Sequence, residues 1–333
     1  MTAAARETLI LTRSEIAGLM TTGDWLDAVE TGFRAAAEGR AEGAPPMALE
    51  GSGGTFHAKG ATIRLGPHYA ALKLNGNFPD NPLRNGLPTI QGALLLCDGE
   101  TGALLAVMDS IEVTLRRTAA ATALAARYLA RQDSRSILVC GCGEQGAAQL
   151  IALRPVLPLV RVTAWDRDFG RAEEFARRFR DDGIAAEAVR DLPADRPPFD
   201  VIVTATSARA PFLLRESVHA GTFVAAVGAD SPGKSEIHPE AMRGAKVVAD
   251  LLAQCVVMGD LHHAIAAGAI RLDEVHGELS ELVAGAKPGR TSDHEVTIFD
   301  STGTALQDVA AAATIYAKAA GNPGFRTVAF AGE

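Results

Sequence analysis

Apolar and polar positions along the chain change their rhythm twice, and the changes divide it. Between residues 12 and 39, Ile16, Leu19, Leu26, Val29 and Phe33 recur at helical spacing. Ser14 is placed to cap a first short helix and Thr22 or Asp24 a second. Pro45 and Pro46 end that pattern. From Thr55 to Leu74 and from Gln91 to Met108 the chain alternates or runs apolar in short segments. Gly66-Pro67, Asn75-Gly76 and Asp98-Gly99 break these segments, as expected for antiparallel strands. The stretch from Asn75 to Gly92 is rich in Asn, Gly and Pro, and a loop of that length inside a compact domain is usually functional. Ser110 or Thr114 then opens a long alanine-rich helix over Arg116 to Arg131.

Beyond it, strand and helix alternate with short connections over 137–140, 145–153, 160–165, 170–180, 184–189, 200–205, 213–219, 223–227, 238–243 and 246–249. That alternation predicts a doubly wound parallel sheet. Glu295 to Phe299 reads as a further strand, and Leu306 to Ala319 as an alanine-rich helix that returns the chain to its first domain. The expected class is α/β: a Rossmann sheet inserted into an α+β domain. The first domain is expected to span 1–117 with 309–333, and the inserted one 118–308.

The strongest local signal is Ser136-Ile-Leu-Val-Cys-Gly-Cys-Gly-Glu-Gln-Gly146. A buried-strand run leads directly into Gly141, Gly143 and Gly146, spaced G-x-G-x-x-G, with Glu144 and Gln145 opening the next helix. The first glycine suits a tight turn, the second lets backbone approach a pyrophosphate, and the third lets helix and strand pack closely. The helix N-terminus offers N–H groups and partial positive charge to phosphates. About twenty residues on, Asp166 ends the next strand, followed by Arg167; an acid there can accept both ribose hydroxyls of an adenosine, which favours NAD over NADP.

Composition narrows the partners. The 333 residues suffice for two domains. A net charge of −8 and the lack of a lysine-rich run argue against nucleic acid or an anionic membrane. No apolar run approaches the roughly 20 residues that span a bilayer, and Arg6 and Glu7 before Leu9 do not make a signal peptide, so a cytoplasmic location is expected. Cys97, Cys140, Cys142 and Cys255 have neither disulfide-framework nor zinc spacing and read as reduced thiols. His262 and His263, adjacent on one helix, cannot share a ligand face and read as surface residues; no metal site is expected.

A few residues stand out chemically. Lys73 lies in the apolar strand Ala70–Asn75, where an ammonium needs an anionic partner unless it faces water; that partner could be substrate. Arg117 has a fork suited to a carboxylate or phosphate, or to an intramolecular salt bridge, whereas Arg116 points elsewhere and reads as solvated. Asp230 follows the strand Phe223–Val227, at the edge where open α/β sheets bind ligands; it could move a proton at a substrate nitrogen, or simply form a turn with Ser231-Pro-Gly233. His57 and Lys59 project from one strand face, with Arg64 expected on a neighbouring strand. With Lys73 and Arg117 they form an unusual density of cations, which a substrate bearing more than one carboxylate would explain.

Taken together, these motifs resemble the ornithine cyclodeaminase and mu-crystallin family of NAD(P)-dependent enzymes. The resemblance rests on Lys73 with Asn75-Gly-Asn-Phe-Pro79, Gly86–Thr89, Leu105–Asp109, Arg117–Ala120, the glycine turn, Val203–Thr206, Val227–Lys234, and Val296–Gly303 with Asp308. It implies a homodimer whose first domain binds substrate and dimerises. It also implies that Lys73 and Arg117 hold a substrate carboxylate and that Asp230 serves proton transfer. The implied NAD(H) lining is Thr89, Arg117, Gly141, Gly143, Glu144, Gln145 and Gly146 of the turn, Asp166 and Arg167, Thr204, Ala205 and Thr206, Val227 and Gly228, Lys234 and Ser301. One departure bears on substrate. Cyclodeaminases proper carry an arginine after the first helices and a glutamate before the lysine that receives a distal amine. Here those stretches read Pro46–Leu49 and His57–Gly60.

The resulting expectation is an NAD(H)-dependent imine reductase or amino-acid dehydrogenase interconverting an α-imino acid and an L-α-amino acid. A dicarboxylic pair such as iminosuccinate and aspartate is the bolder form. The alternatives are an ornithine or lysine cyclodeaminase using tightly bound NAD, and a dinucleotide-dependent small-ligand binding protein of the mu-crystallin type.

Overall fold

The computed structural model describes residues 7–192 and 198–330, so Arg6 lies outside the described residues. It divides into two units, residues 1–117 with 304–333 and residues 118–303. The return to the first unit therefore comes at 304, not 309. Thr304 is the N-cap of the helix Ala305–Ala319, and a helix packed along its whole length moves with its unit.

The first unit is built on a sheet in the order Arg326–Val328, Thr8–Leu11, Leu104–Asp109, Ile90–Asp98, His68–Asn77, Gly54–Arg64 and Ala41–Gly43, with Met47–Gly51 also paired to Gly54–Arg64. Its central ladders are antiparallel, as the alternation predicted; Thr8–Leu11 and Leu104–Asp109 run parallel. The strands at 8–11, 41–43, 47–51 and 326–328 carry too few residues for their periodicity to stand out in the sequence. Two helices cover one face. The first, Thr22–Ala37, begins at a capping box in which Thr21 accepts from the Asp24 N–H and Asp24 accepts from the Thr21 N–H. Its cap and that of Arg13–Leu19, at Thr12, lie ahead of the expected residues. The second is Ala305–Ala319, and a Cβ on Gly32 would come within 3.1 Å of the Ala310 Cβ and 3.2 Å of the Leu306 carbonyl oxygen. Lys318 pairs with Asp24 at 2.7 Å, and Lys318 and Thr21 together hold the Asp24 carboxyl down at about 2.

On the face beneath these helices lie Leu9, Leu11, Ile63, Ala71, Leu94, Leu96, Ala106 and Met108, all buried. The opposite face presents Met47, Leu49, Phe56, Leu72 and Leu74 to the outside, Leu72 with 53% of its surface exposed. So many large apolar side chains on adjacent strands exceed the scattered exposure of an ordinary surface.

The second unit is a wholly parallel sheet in the order Ala185–Val189, Arg161–Trp165, Ser136–Cys140, Val201–Thr204, Phe223–Ala226, Thr297–Asp300, Lys246–Ala249 and Gly277–Glu278. The four strands from 136–140 to 297–300 are buried along their whole length, which explains why they read as unbroken apolar runs. Strand order reverses about Ser136–Cys140, so the switch point where doubly wound sheets bind ligands falls at its C-terminal end. Over 213–219 only a 3-10 turn, Arg215–Ser217, forms. Leu213 is drawn instead into a parallel bridge with Ile237, and both Phe212 and Leu213 donate to the Glu236 carbonyl.

Candidate active site

The glycine turn has the geometry its spacing predicts. Gly141 adopts φ +97°, and a Cβ there would stand 2.5 Å from the Ala205 carbonyl oxygen. A Cβ on Gly146 would lie 2.0 Å from the Gly141 carbonyl oxygen, so strand and helix pack at backbone contact. A Cβ on Gly143 would meet nothing within 4 Å, leaving open space at the N-cap of the helix Glu144–Leu153. The first bond of that helix runs from the Ala147 N–H to the Gly143 carbonyl at 3.1 Å, so the N–H groups of Gln145 and Gly146 precede it. Asp166 accepts from the Cys142 N–H at 2.8 Å and from the Asp168 N–H at 2.9 Å, which fixes its carboxylate beside the turn. Burial and that carboxylate push the Cys142 thiol up to about 12, so it is neutral. Open space, a helix N-terminus and an oriented acid fit a dinucleotide diphosphate and its ribose.

At the neighbouring strand ends, Thr204 is fully buried and donates its hydroxyl to Glu236 at 2.7 Å; Thr206 donates both its N–H and its hydroxyl to the same carboxylate. Val227 is buried, while Ala205 and Gly228 are half-buried. Ser301 is buried, with its hydroxyl on Asp250 at 3.1 Å. Asp230 is exposed and pairs with Lys234 at 2.6 Å, so Lys234 serves as its ionic partner. Arg167 is exposed, and Thr89 is half-buried on the segment after Asn77, its carbonyl accepting from the Phe78 N–H.

In the first unit, Lys73 does not face water. Its side chain is only 6% exposed, and it pairs with Asp308 at 2.6 Å and donates to the Thr114 hydroxyl at 3.2 Å. Arg117 is buried as well, donating to Asp308 at 2.8 Å and to Gln307 at 2.9 Å. One carboxylate thus serves two buried cations. The Asp308 carboxyl is held below its usual range because the attraction of Lys73 and Arg117 exceeds the opposing effect of burial. Lys73 instead is pushed down to about 8, chiefly by burial, with Arg117 and Lys59 adding to the shift and Asp308 only partly offsetting it. Among the described residues, Lys73, Arg117 and Asp308 are two buried cations on one buried anion.

Lys59 stands directly across the ladder from Lys73, half-buried, and His57, across from Asn75, is exposed on the same face. The expectation for Arg64 fails: it lies at the far end of the same strand as Lys59 and pairs with Glu100 at 2.7 Å. A strand keeps its residues in line, so five positions carry Arg64 well away from Lys59. Arg116 is not simply solvated but pairs with buried Glu112 at 2.8 Å. His262 and His263 are half-buried, their rings hydrogen-bonded to the Val256 and Lys234 carbonyls at 3.1 and 2.8 Å.

A sequence profile of the ornithine cyclodeaminase/mu-crystallin family matches residues 6–322. The chain belongs to this family. Among its relatives is an alanine dehydrogenase of Archaeoglobus fulgidus, 42% identical over 94% of this chain and 95% of that protein. An iminosuccinate reductase of Paracoccus denitrificans is 37% identical over 92% of this chain and 95% of its own length. A solved archaeal alanine dehydrogenase, a dimer with bound NAD, superposes with a TM-score of 0.91 at 40% identity, covering 97% of this chain and 99% of that one.

Against the family expectation, the structure brings together Lys73, Arg117 and Lys59, and separately the glycine turn, Asp166, Thr206 and Gly228. Two further residues, Asp308 and Glu236, lie outside the set expected to line the site. Asp308 carries a signal, since it is an acid among Leu306, Val309 and the alanines of an otherwise apolar helix face. Glu236 carries none beyond its place after Lys234.

Proposed function

We propose that this chain is an NAD(H)-dependent oxidoreductase acting on C=N and CH–NH2 groups, reducing an α-imino acid to an L-α-amino acid or running the reverse reaction. The observation that carries the reading is the charge deficit at Lys73, Arg117 and Asp308. Two buried cations sharing one carboxylate form a socket for one more, and an α-carboxylate supplies it. When bound at the glycine turn, NADH supplies the hydride. Lys73 and Arg117 orient the carboxylate so that the adjoining carbon is presented in one pose, and Asp230 gives a proton to, or takes one from, nitrogen or water. Thr89, Gln145, Asp166, Arg167, Ala205, Val227 and Ser301 belong to the cofactor set of this reading, Ser301 through its backbone because its hydroxyl is held by Asp250.

The substrate in this reading bears a second carboxylate. Lys59, opposite Lys73, adds a cation on the side where a distal group would extend, and His57 follows two residues away on that face. An ornithine or lysine ammonium would meet like charge there, costing several kcal/mol in a partly buried setting. The test is NADH oxidation with a panel of imino acids. Iminosuccinate is expected to outpace neutral pyrroline- and piperideine-carboxylates, and Lys59→Ala to lower its kcat/KM by about 10- to 100-fold, the worth of one charge-assisted hydrogen bond, leaving monocarboxylates little changed. Equal turnover of all three, with Lys59→Ala silent, refutes the dicarboxylate.

A second copy of the chain covers the apolar face of Met47, Leu49, Phe56, Leu72 and Leu74, as the dimeric state of the archaeal relative supports. Leu72→Glu is expected to convert a dimer into a monomer on analytical ultracentrifugation; a dimer that persists unchanged refutes this face as the interface.

A further inference from the structure

Past the final ladder bond, from the Val227 N–H to the Thr204 carbonyl at 2.9 Å, no backbone hydrogen bond among the described residues joins Thr206 to Gly228. The Glu236 carboxylate fills that position. One oxygen accepts from the Thr206 N–H at 2.6 Å and the Thr206 hydroxyl at 2.7 Å; the other accepts from the Gly228 N–H at 2.8 Å and the Thr204 hydroxyl at 2.7 Å. The fit is close enough to exclude a side chain at 228, where a Cβ would stand 2.4 Å from the carboxylate. Glu236 is itself anchored, its N–H donating to Asp260 at 2.8 Å and its carbonyl accepting from Phe212 and Leu213.

We propose that Glu236 is a positioning residue: by clamping Thr206 to Gly228 it sets the edge on which the nicotinamide end of the dinucleotide rests and from which the chain runs to Asp230. The proposal rests on the dinucleotide reading above and extends it to a residue that touches neither cofactor nor substrate. Two of the four donors are backbone N–H groups, which cannot reverse, so only an ionised carboxylate accepts from all four. Burial raises the Glu236 carboxyl to about 7, with the charge of Asp260 adding to the shift and the hydrogen bonds of Thr206 and Thr204 opposing it. The clamp therefore tightens as pH rises through about 7 and loosens as it falls. The other titratable groups around it are Asp260, with Asp300 behind it, His263 on the same helix as Asp260, Cys140 on the adjoining strand, and the Asp230–Lys234 pair on its own segment. Asp260 and Asp300 are also pushed upward by burial, so variants are needed to assign the pH limb.

The experiment is a fluorescence titration of the full chain with NADH, without substrate, from pH 5.5 to 9. The expected result is a dissociation constant that rises about tenfold as pH falls through about 7, and a Glu236→Gln protein that binds weakly and without this limb at every pH. The amide sets an NH2 group, which cannot accept, against one of the two backbone donors. Thr206→Val, which removes one hydrogen bond that favours the ionised form, is expected to move the limb to higher pH. A purely structural glutamate would not produce that displacement, and this variant keeps the test open should Glu236→Gln fail to fold. A wild-type protein whose NADH affinity is flat with pH, a Glu236→Gln protein with the wild-type profile, or an unmoved limb in Thr206→Val overturns the proposal. A chain that binds no NADH at any pH overturns the dinucleotide reading, and this inference with it.

Discussion

Asp308→Ala is expected to lower the unfolding free energy by about 3–5 kcal/mol, the cost of stripping the partner from a buried ion pair. Lys73 and Arg117 would remain desolvated with no anion between them. Urea denaturation measures the loss, and Asp308→Asn, which keeps the shape without the charge, should lose most of the same stability. A change under about 1 kcal/mol would mean that the pair contributes no more than a surface bridge. The pH dependence follows from the same cluster. Asp308 titrates below its unfolded value, so its contribution is present above about pH 4 and disappears as pH falls through the folded value. Lys73 titrates at about 8, below its ordinary 10.5, so the unfolded chain binds more protons in between and stability rises across that window. Substrate affinity moves the other way. Carboxylate binding needs the charged ammonium, so KM is expected to rise above about pH 8 while the protein becomes no less stable.

The second large effect is expected at Asp230. Asp230→Asn should reduce kcat by about 10²- to 10⁴-fold, the range for a positioned general acid or base, while NADH affinity stays within about threefold. The side chain is exposed and held toward Lys234 at 2.6 Å, so its removal leaves no buried group unpaired and folding should be unaffected. Single-turnover NADH oxidation separates chemistry from binding. A variant within a few-fold of wild type in that step would reduce Asp230 to a turn residue and leave the proton to another donor.

Much of this architecture is legible in the chain because it depends on local repetition. The strand, glycine turn and helix over 136–153 were readable since Gly141 and Gly146 are each required by backbone contacts within the turn or its adjoining strands, and Gly143 keeps the space between them open. The parallel strands were readable since burial on both faces demands unbroken apolar runs. Short strands of the first unit escaped because three or four residues show no period. The segment 213–219 misled because its residues serve a long-range bridge to Ile237.

The amino-acid sequence by itself determined the two kinds of sheet, the place of the glycine turn, the acid that follows it, and the family through Lys73, Arg117 and Asp230. Tertiary structure alone decided which charges meet. Asp308 reaches Lys73 and Arg117 across well over a hundred residues, and Arg64, close to Lys59 in the chain, is carried off to Glu100. Periodicity reports which side of an element is buried, but the energy of an ionic group depends on the particular opposite charge within a few ångströms of it. That distance is set only when the helix Ala305–Ala319 lies down on the strand His68–Asn77.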